Sequence, residues 1–123
     1  MFGQPILLSD VMANRNGTNL VGRIRELRVM AEYKSSALFV VEPAELVGEV
    51  SHQSLSLSKE LSDALYDWIA TYDSWLNWDD PFNSPPVPTS VEQAFFERGR
   101  ELTQLVQAEL GSSVVVKFWH NNG

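Results

Sequence analysis

The chain has 123 residues, of which 44% are hydrophobic and 20% charged, as expected for one globular domain over residues 1–123 rather than a disordered chain. No cysteine is present, which excludes disulfides, thiolate metal sites and a cysteine nucleophile. The formal net charge of −7 disfavours direct nucleic-acid binding and favours basic proteins or cations as partners, because an acidic field repels phosphate backbones.

The first 22 residues have weak periodicity and are predicted to form an irregular lead-in. They contain no positively charged region at the start, and the apolar run at residues 6–8 is too short for a signal sequence or a membrane span. Together with the absence of cysteine, this pattern predicts a cytoplasmic protein that does not contact a membrane.

Two strands are predicted next. Residues 24–33 alternate between apolar and polar with the period of two that indicates a strand, and residues 37–41 form a second, strongly β-prone run. Residues 34–36 are predicted to be the turn of the hairpin, and a short strand is predicted near residues 46–50. The second run is apolar on both faces, which favours a central position in the sheet. Arg23, Arg25 and Arg28 on or near the first strand are typical of an edge strand protected against aggregation, which we favour over RNA binding.

The most regular helical pattern begins at Ser58, a good N-cap, with Glu60 in the first turn where the helix dipole favours an acid. The helix is predicted to end near Asn77 or Trp78, because Pro81 cannot continue it. Its apolar stripe comprises Leu61, Leu65, Trp68, Ile69, Tyr72, Trp75 and Leu76. Its opposite, acidic face comprises Asp63, Asp67, Asp73 and Ser74.

A proline-rich loop at residues 79–88 leads to Thr89 and Glu92, which have the spacing of a capping box and open a second helix that ends at Gly111. Its predicted apolar stripe comprises Val91, Phe95, Leu102, Leu105, Val106 and Leu110. Residues 114–119 are predicted to be the last strand, and residues 120–123 a frayed tail. The order β-β-α-α-β predicts an α/β (α+β) fold, in which a three- to four-stranded sheet carries an antiparallel helical hairpin on one face.

The candidate functional site is the acidic and aromatic segment at residues 72–82. Tyr72 and Trp75 continue the helical stripe and are predicted to lie in the core. Trp78 and Phe82 lie beyond that stripe and beside acids, a composition typical of interface anchors with an electrostatic rim.

Chemistry at this segment has little support in the sequence. Asp73, Asp79 and Asp80 leave open a carboxylate-based metal site, although Pro81 interrupts the spacing of a calcium loop. The histidines have no metal-binding or triad context, and no phosphate-binding loop or nucleophile elbow occurs. We therefore predict no catalytic residue and no cofactor.

Several of these segments resemble a group of small bacterial proteins. The resemblance covers about residues 27–119 and rests on the hairpin, the start of the first helix at residues 56–58, the YDxxLNxDDP-like stretch at residues 72–81 and the helix at residues 92–111. Some members resemble immunity proteins of contact-dependent growth-inhibition and polymorphic toxin systems. The resemblance implies a non-enzymatic immunity protein that neutralises a cognate toxin domain by occluding its active site or substrate groove.

This implication agrees with the distribution of charge. Ten acidic and only three basic residues lie between residues 57 and 110, and an acidic inhibitor gains association rate and selectivity against a basic toxin domain, such as a nuclease. The residues expected to bind the partner are Asp67, Asp73, Trp78, Asp79, Asp80 and Phe82. A small adaptor or an oligomeric structural protein without a toxin remains an alternative, and the residues leave the oligomeric state open.

Overall fold

The structure is a computed structural model that describes residues 20–120. The predicted lead-in up to residue 19, including the stretch used to predict the compartment, lies outside the described residues, as do residues 121–123 of the predicted tail. The helices and strands are β1 (Glu26–Val29), β2 (Leu38–Glu42), β3 (Gly48–Glu49), α1 (Lys59–Ser74), α2 (Thr89–Leu110) and β4 (Val115–Phe118). This arrangement confirms the predicted α+β class and the order β-β-α-α-β, with β3 as the short additional strand. None of the helices between residues 20 and 120 has the length and apolar character needed to span a membrane.

The four strands form one sheet in the order β3-β2-β1-β4. β1 pairs antiparallel with β2, as predicted for a hairpin, and parallel with β4. β1 is therefore an interior strand, and the prediction that its arginines mark an edge is wrong. The edge is covered by a strand from the other end of the chain, which local patterning cannot reveal. Arg28 lies with its guanidinium carbon 5.4 Å from the ring centroid of Trp119, directly after β4.

One face of the sheet is buried, and the two helices complete the core. Leu27 and Val29 on β1 and Leu38 and Val40 on β2 are buried, as the period of two predicts. The helices run antiparallel, because the end of α2 lies beside the start of α1. There, the carboxylate of Glu109 accepts hydrogen bonds from the backbone N–H and the hydroxyl of Ser58, at 2.8 and 2.6 Å.

The start of α1 is as predicted, but its end is not. The hydroxyl of Ser58 accepts a hydrogen bond from the backbone N–H of Leu61 at 3.2 Å, so Ser58 is the N-cap. The helix ends at Ser74 and not near Asn77 or Trp78. The predicted extension fails because the backbone folds into a separate hydrogen-bonded turn before Pro81, described below.

The start of α2 also differs from the prediction. Thr89 is the first helical residue, Pro88 occupies the N-cap position, and no side chain caps the helix. The predicted capping box with Glu92 is therefore wrong, because Thr89 lies one position too far into the helix to cap it. Val91 and Leu105, predicted to be on the apolar stripe, are 45% and 47% exposed.

The buried face of α2 is narrower than predicted and includes two small residues. It comprises Phe95, Gly99, Leu102, Thr103, Val106 and Leu110. A Cβ atom on Gly99 would lie 2.5 Å from Cε1 of Phe118 and 2.6 Å from Cζ2 of Trp68. The glycine therefore allows α2 to approach both rings closely. Gly111 ends the helix as predicted, with a positive φ of 83°.

Candidate functional site

The turn that follows α1 is held by two polar side chains. The side-chain oxygen of Asn77 accepts hydrogen bonds from the backbone N–H groups of Asp79 and Asp80, both at 3.1 Å. The backbone N–H of Asn77 donates to the hydroxyl of Ser84 at 2.8 Å, and that hydroxyl donates to the carbonyl oxygen of Pro81 at 2.8 Å. A short 3₁₀ turn at Pro81–Asn83 lies between them. The backbone of the loop is thus held at both ends by side chains of the loop itself.

The tip of this loop presents an aromatic ring and a carboxylate. Phe82 is 100% exposed. The exposed Asp79 side chain has no hydrogen bond or ion pair with any residue between 20 and 120. The carboxylate of Asp80 accepts a hydrogen bond from the side-chain amide of Asn83 and so helps to close the turn. The side chains of Phe82 and Asp79 are therefore free to contact solvent, whereas the side chain of Asp80 is already used in the turn.

Trp78 and Asp73 form a junction between the end of α1 and the β1–β2 turn. The indole N–H of Trp78 donates to the carbonyl oxygen of Asp73 at 3.0 Å, and the ammonium nitrogen of Lys34 lies 4.2 Å from the centroid of the indole ring. The carboxylate of Asp73 accepts a hydrogen bond from the backbone N–H of Lys34 at 2.9 Å. Trp78 is thus fixed in orientation while 47% of its surface remains exposed.

The aromatic residues beneath this junction behave as predicted. Tyr72 and Trp75 are half-buried and pack against the core, which confirms their assignment to it. Tyr72 stacks on Tyr33 with ring centroids 4.6 Å apart. Burial raises the pKa of the Tyr72 hydroxyl to about 12, and the neighbouring Tyr33 contributes in the same direction. The sequence did not indicate Tyr33 or Lys34 as part of the site, because nothing local shows that the hairpin turn meets the end of α1.

Asp67 lies on a different surface. It lines a groove of about 410 Å³ between α1 and α2, together with Thr71, Val91 and Arg98. No residue of the loop that follows α1 lines this groove. The structure therefore brings together five of the six predicted partner-binding residues in the loop and its junction with α1, and places Asp67 apart from them.

The buried histidine, His52, is hydrogen-bonded through both ring nitrogens and serves the packing of the fold. The Nε2 atom of His52 lies 2.7 Å from the carbonyl oxygen of Ser36, and Nδ1 lies 2.6 Å from the hydroxyl oxygen of Ser62. A carbonyl oxygen can only accept, so Nε2 carries a proton and donates it to the carbonyl oxygen of Ser36. The ring joins the hairpin turn to α1. Between residues 20 and 120, no three histidine, aspartate or glutamate side chains are grouped so that they could hold a metal ion.

Comparison with known proteins identifies the family to which this fold and loop belong. A family model described as Serratia CdiI immunity protein-like matches residues 25–121. A search of curated proteins finds no match. The matched range contains every strand and helix of the sheet and helical hairpin, together with the whole candidate loop. The chain therefore belongs to the Serratia CdiI immunity protein-like family.

Proposed function

We propose that this chain is an immunity protein that binds one cognate toxin domain and neutralises it by covering its active site or substrate groove, without chemical turnover. Membership of the immunity protein-like family supports the toxin-binding role. The observation that carries the choice of surface is the fully exposed Phe82 on a hydrogen-bonded turn, three residues after Asp79, whose carboxylate has no hydrogen bond or ion pair within residues 20–120.

Phe82 and Trp78 are the hydrophobic anchors of the proposed interface. Removing a phenylalanine side chain from water contributes about 1.5–3 kcal/mol, and aromatic anchors in desolvated pockets dominate many protein interfaces. Because Asn77 and Ser84 already hold the loop backbone, this loop loses less conformational entropy on binding than an unconstrained loop would lose. The indole of Trp78 also loses less conformational entropy on binding, because its hydrogen bond to Asp73 already fixes its orientation.

The acidic side chains supply electrostatic complementarity to a basic partner, and a nuclease domain fits this charge. Asp79 and Asp80 lie at the rim of the proposed interface, where charge acts mainly on association rate and selectivity. Asp73 supports the interface by holding Lys34 and the hairpin turn against α1. Asp67 adds to the overall negative field of the protein from the separate groove between α1 and α2.

The decisive experiment is a search of the neighbouring genes for a toxin domain and its co-expression with this chain, followed by a viability assay and a sizing column. The wild-type chain is expected to rescue growth and to co-elute with the toxin domain. Failure of both would refute the immunity function. Self-association without any toxin complex would favour the alternative of an adaptor or oligomeric structural protein.

Single substitutions then test the proposed surface. Phe82→Ala is expected to weaken the complex by about 10- to 100-fold, as truncating an interface hot spot does. The matched control is Val47→Ala, which trims an apolar side chain that is 61% exposed near the end of β2, away from the hairpin turn. Equal affinities of the two variants would show that the partner binds elsewhere.

The charge contribution is measured separately by association kinetics. Asp79→Asn is expected to lower the association rate constant by roughly 2- to 5-fold at low salt, with a smaller effect at high salt, because screening removes the attraction. Glu45→Gln removes a similar exposed charge near Val47 and serves as the control. An equal effect of both substitutions would indicate a general effect of net charge and not a contact at the loop.

A further inference from the structure

A second cleft, with a volume of about 350 Å³, lies beside the candidate loop. It is formed where the hairpin turn, the end of α1, the start of α2 and the residues after β4 meet. Six of its lining side chains are aromatic, namely Tyr33, Tyr72, Trp75, Phe96, Trp119 and His120. The cleft adjoins the proposed interface, since the ring of Tyr33 meets that of Trp78 edge-on with centroids 5.5 Å apart. Its volume is within the range of about 300–1,000 Å³ that is typical of ligand sites.

Five of the six rings that line the cleft contact one another, and the sixth, Trp119, carries the guanidinium group of Arg28. Tyr33 stacks on Tyr72, and Tyr72 meets Trp75 edge-on with centroids 5.8 Å apart. On the opposite side, Phe96 and His120 lie with centroids 3.7 Å apart, although the sequence places His120 in a frayed tail. The cleft is therefore preorganised and does not depend on a partner for its shape.

One carboxylate lines the cleft, and no lysine or arginine does. That carboxylate belongs to Glu92, which the sequence assigns to a capping box that does not form. Within the described residues, its side chain has no hydrogen bond and no ion pair. An unpaired negative charge beside the electron-rich faces of aromatic rings is the environment that attracts an organic cation.

The chain already places its own cations on two rings of this region, one that lines the cleft and one beside it. The ammonium group of Lys34 lies over Trp78 at 4.2 Å, and the guanidinium group of Arg28 lies 5.4 Å from Trp119. Both distances are within the limit of about 6 Å for a cation–π interaction. The aromatic rings of this region are thus placed so that they can form cation–π contacts.

We infer that the aromatic cleft binds one cationic side chain, an arginine or a lysine, that projects from the cognate toxin domain. The inference rests on the proposed function and names a second contact, next to the Phe82 anchor. Glu92 contributes the countercharge, and the rings surround the aliphatic stem and the charged head of the inserted side chain.

The first test uses a small probe and does not require the toxin. Nα-acetyl-arginine amide is titrated into the protein while the indole N–H signals of Trp75 and Trp119 are followed by NMR, and Nα-acetyl-citrulline amide serves as the uncharged probe of nearly the same shape. The arginine probe is expected to give saturable shifts with a dissociation constant on the order of 10 mM, at least about 5-fold below that of the citrulline probe. Equal shifts from both probes, or no saturation, would overturn the inference.

Glu92→Gln is expected to weaken binding of the arginine probe by about 5-fold, because the countercharge is lost. Glu60→Gln is the matched control, since it removes the same charge from the first turn of the other helix and disturbs the helix dipole in the same way. The inference is wrong if the two variants bind the arginine probe equally well.

The second test uses the cognate toxin domain and separates the two proposals. A wild-type complex that Glu92→Gln weakens by about 5- to 10-fold, while Glu60→Gln leaves it unchanged, supports the cleft as a toxin contact. A wild-type complex that Glu92→Gln does not weaken overturns the cleft inference and leaves the proposed function standing. Absence of a wild-type complex overturns both.

Discussion

Substitution of Gly99 by alanine tests the packing between α2 and the aromatic core. The added Cβ would lie 2.5 Å from Phe118 and 2.6 Å from Trp68, well inside van der Waals contact. Trp68 has little freedom to retreat, because its ring stacks on Phe95 at 4.6 Å and its indole N–H donates to the Phe95 carbonyl oxygen at 2.9 Å. Overpacking of this kind costs about 1–3 kcal/mol, whereas the higher helix propensity of alanine recovers about 1 kcal/mol. Because both contacts are below 3.0 Å, the overpacking cost lies at the upper end of that range, about 2–3 kcal/mol, and we expect a net loss of about 1–2 kcal/mol in the free energy of unfolding.

Urea unfolding measures this loss as a lower midpoint with an unchanged slope. Gly22→Ala is the control, because a Cβ at that position meets no atom within 4 Å and the same chemical change should leave stability nearly unaltered. In a Phe118→Leu background, the cost of Gly99→Ala should shrink, since the closest ring is gone. A Gly99→Ala protein as stable as the wild type would refute the close packing of α2 on these two rings.

Three other substitutions test the hydrogen bonds and the titration behaviour of the fold. Tyr72 has a pKa raised from 10.0 to about 12, so the folded state holds this proton more tightly, and the associated stability is complete below pH 10 and lost as the pH rises towards 12. Tyr72→Phe should remove that alkaline loss, which is on the order of 1 kcal/mol after solvent screening. Urea unfolding of both proteins across this pH range measures the loss, and an equal pH dependence of their stabilities would contradict the reasoning. Gln107→Leu removes three hydrogen bonds to the backbone around β4, including one from the N–H of Val116 at 3.0 Å, and should lower the free energy of urea unfolding by about 2 kcal/mol; an unchanged midpoint would contradict this role. His52→Leu leaves the carbonyl oxygen of Ser36 without its imidazole donor and should cost about 2–4 kcal/mol by the same measurement, whereas full stability would show that water replaces the ring.

Local patterns predicted the elements of this fold better than their neighbours in space. The start of α1 was predictable because Ser58 and the apolar stripe after it act within a few residues of one another. The interior position of β1 was not, because the parallel pairing with β4 joins residues about 90 positions apart, such as Glu26 and Val115. The arginines of β1 have the same spacing on an interior strand as on an edge strand.

The candidate site divides along the same line. Trp78 and Phe82 could be predicted to lie outside the core because they depart from the helical stripe that ends at Leu76. The involvement of Lys34 could not, since its contact with Asp73 spans 39 residues and uses a backbone N–H that leaves no trace in residue type. The aromatic cleft beside the loop could not be predicted either, because its aromatic residues come from four separate segments of the chain.

If the loop binds the partner as proposed, the way in which its backbone is held has a consequence for the evolution of specificity. The bonds that shape it come from Asn77 and Ser84, whereas Asp79 and Phe82 contribute no side-chain bond within the described residues. Selection on these two positions can therefore change the charge and the shape offered to a partner while the backbone keeps its course. On the proposed interface, a lineage that meets a new toxin can therefore alter its recognition by one or two substitutions with little loss of stability, so that specificity changes faster than the fold.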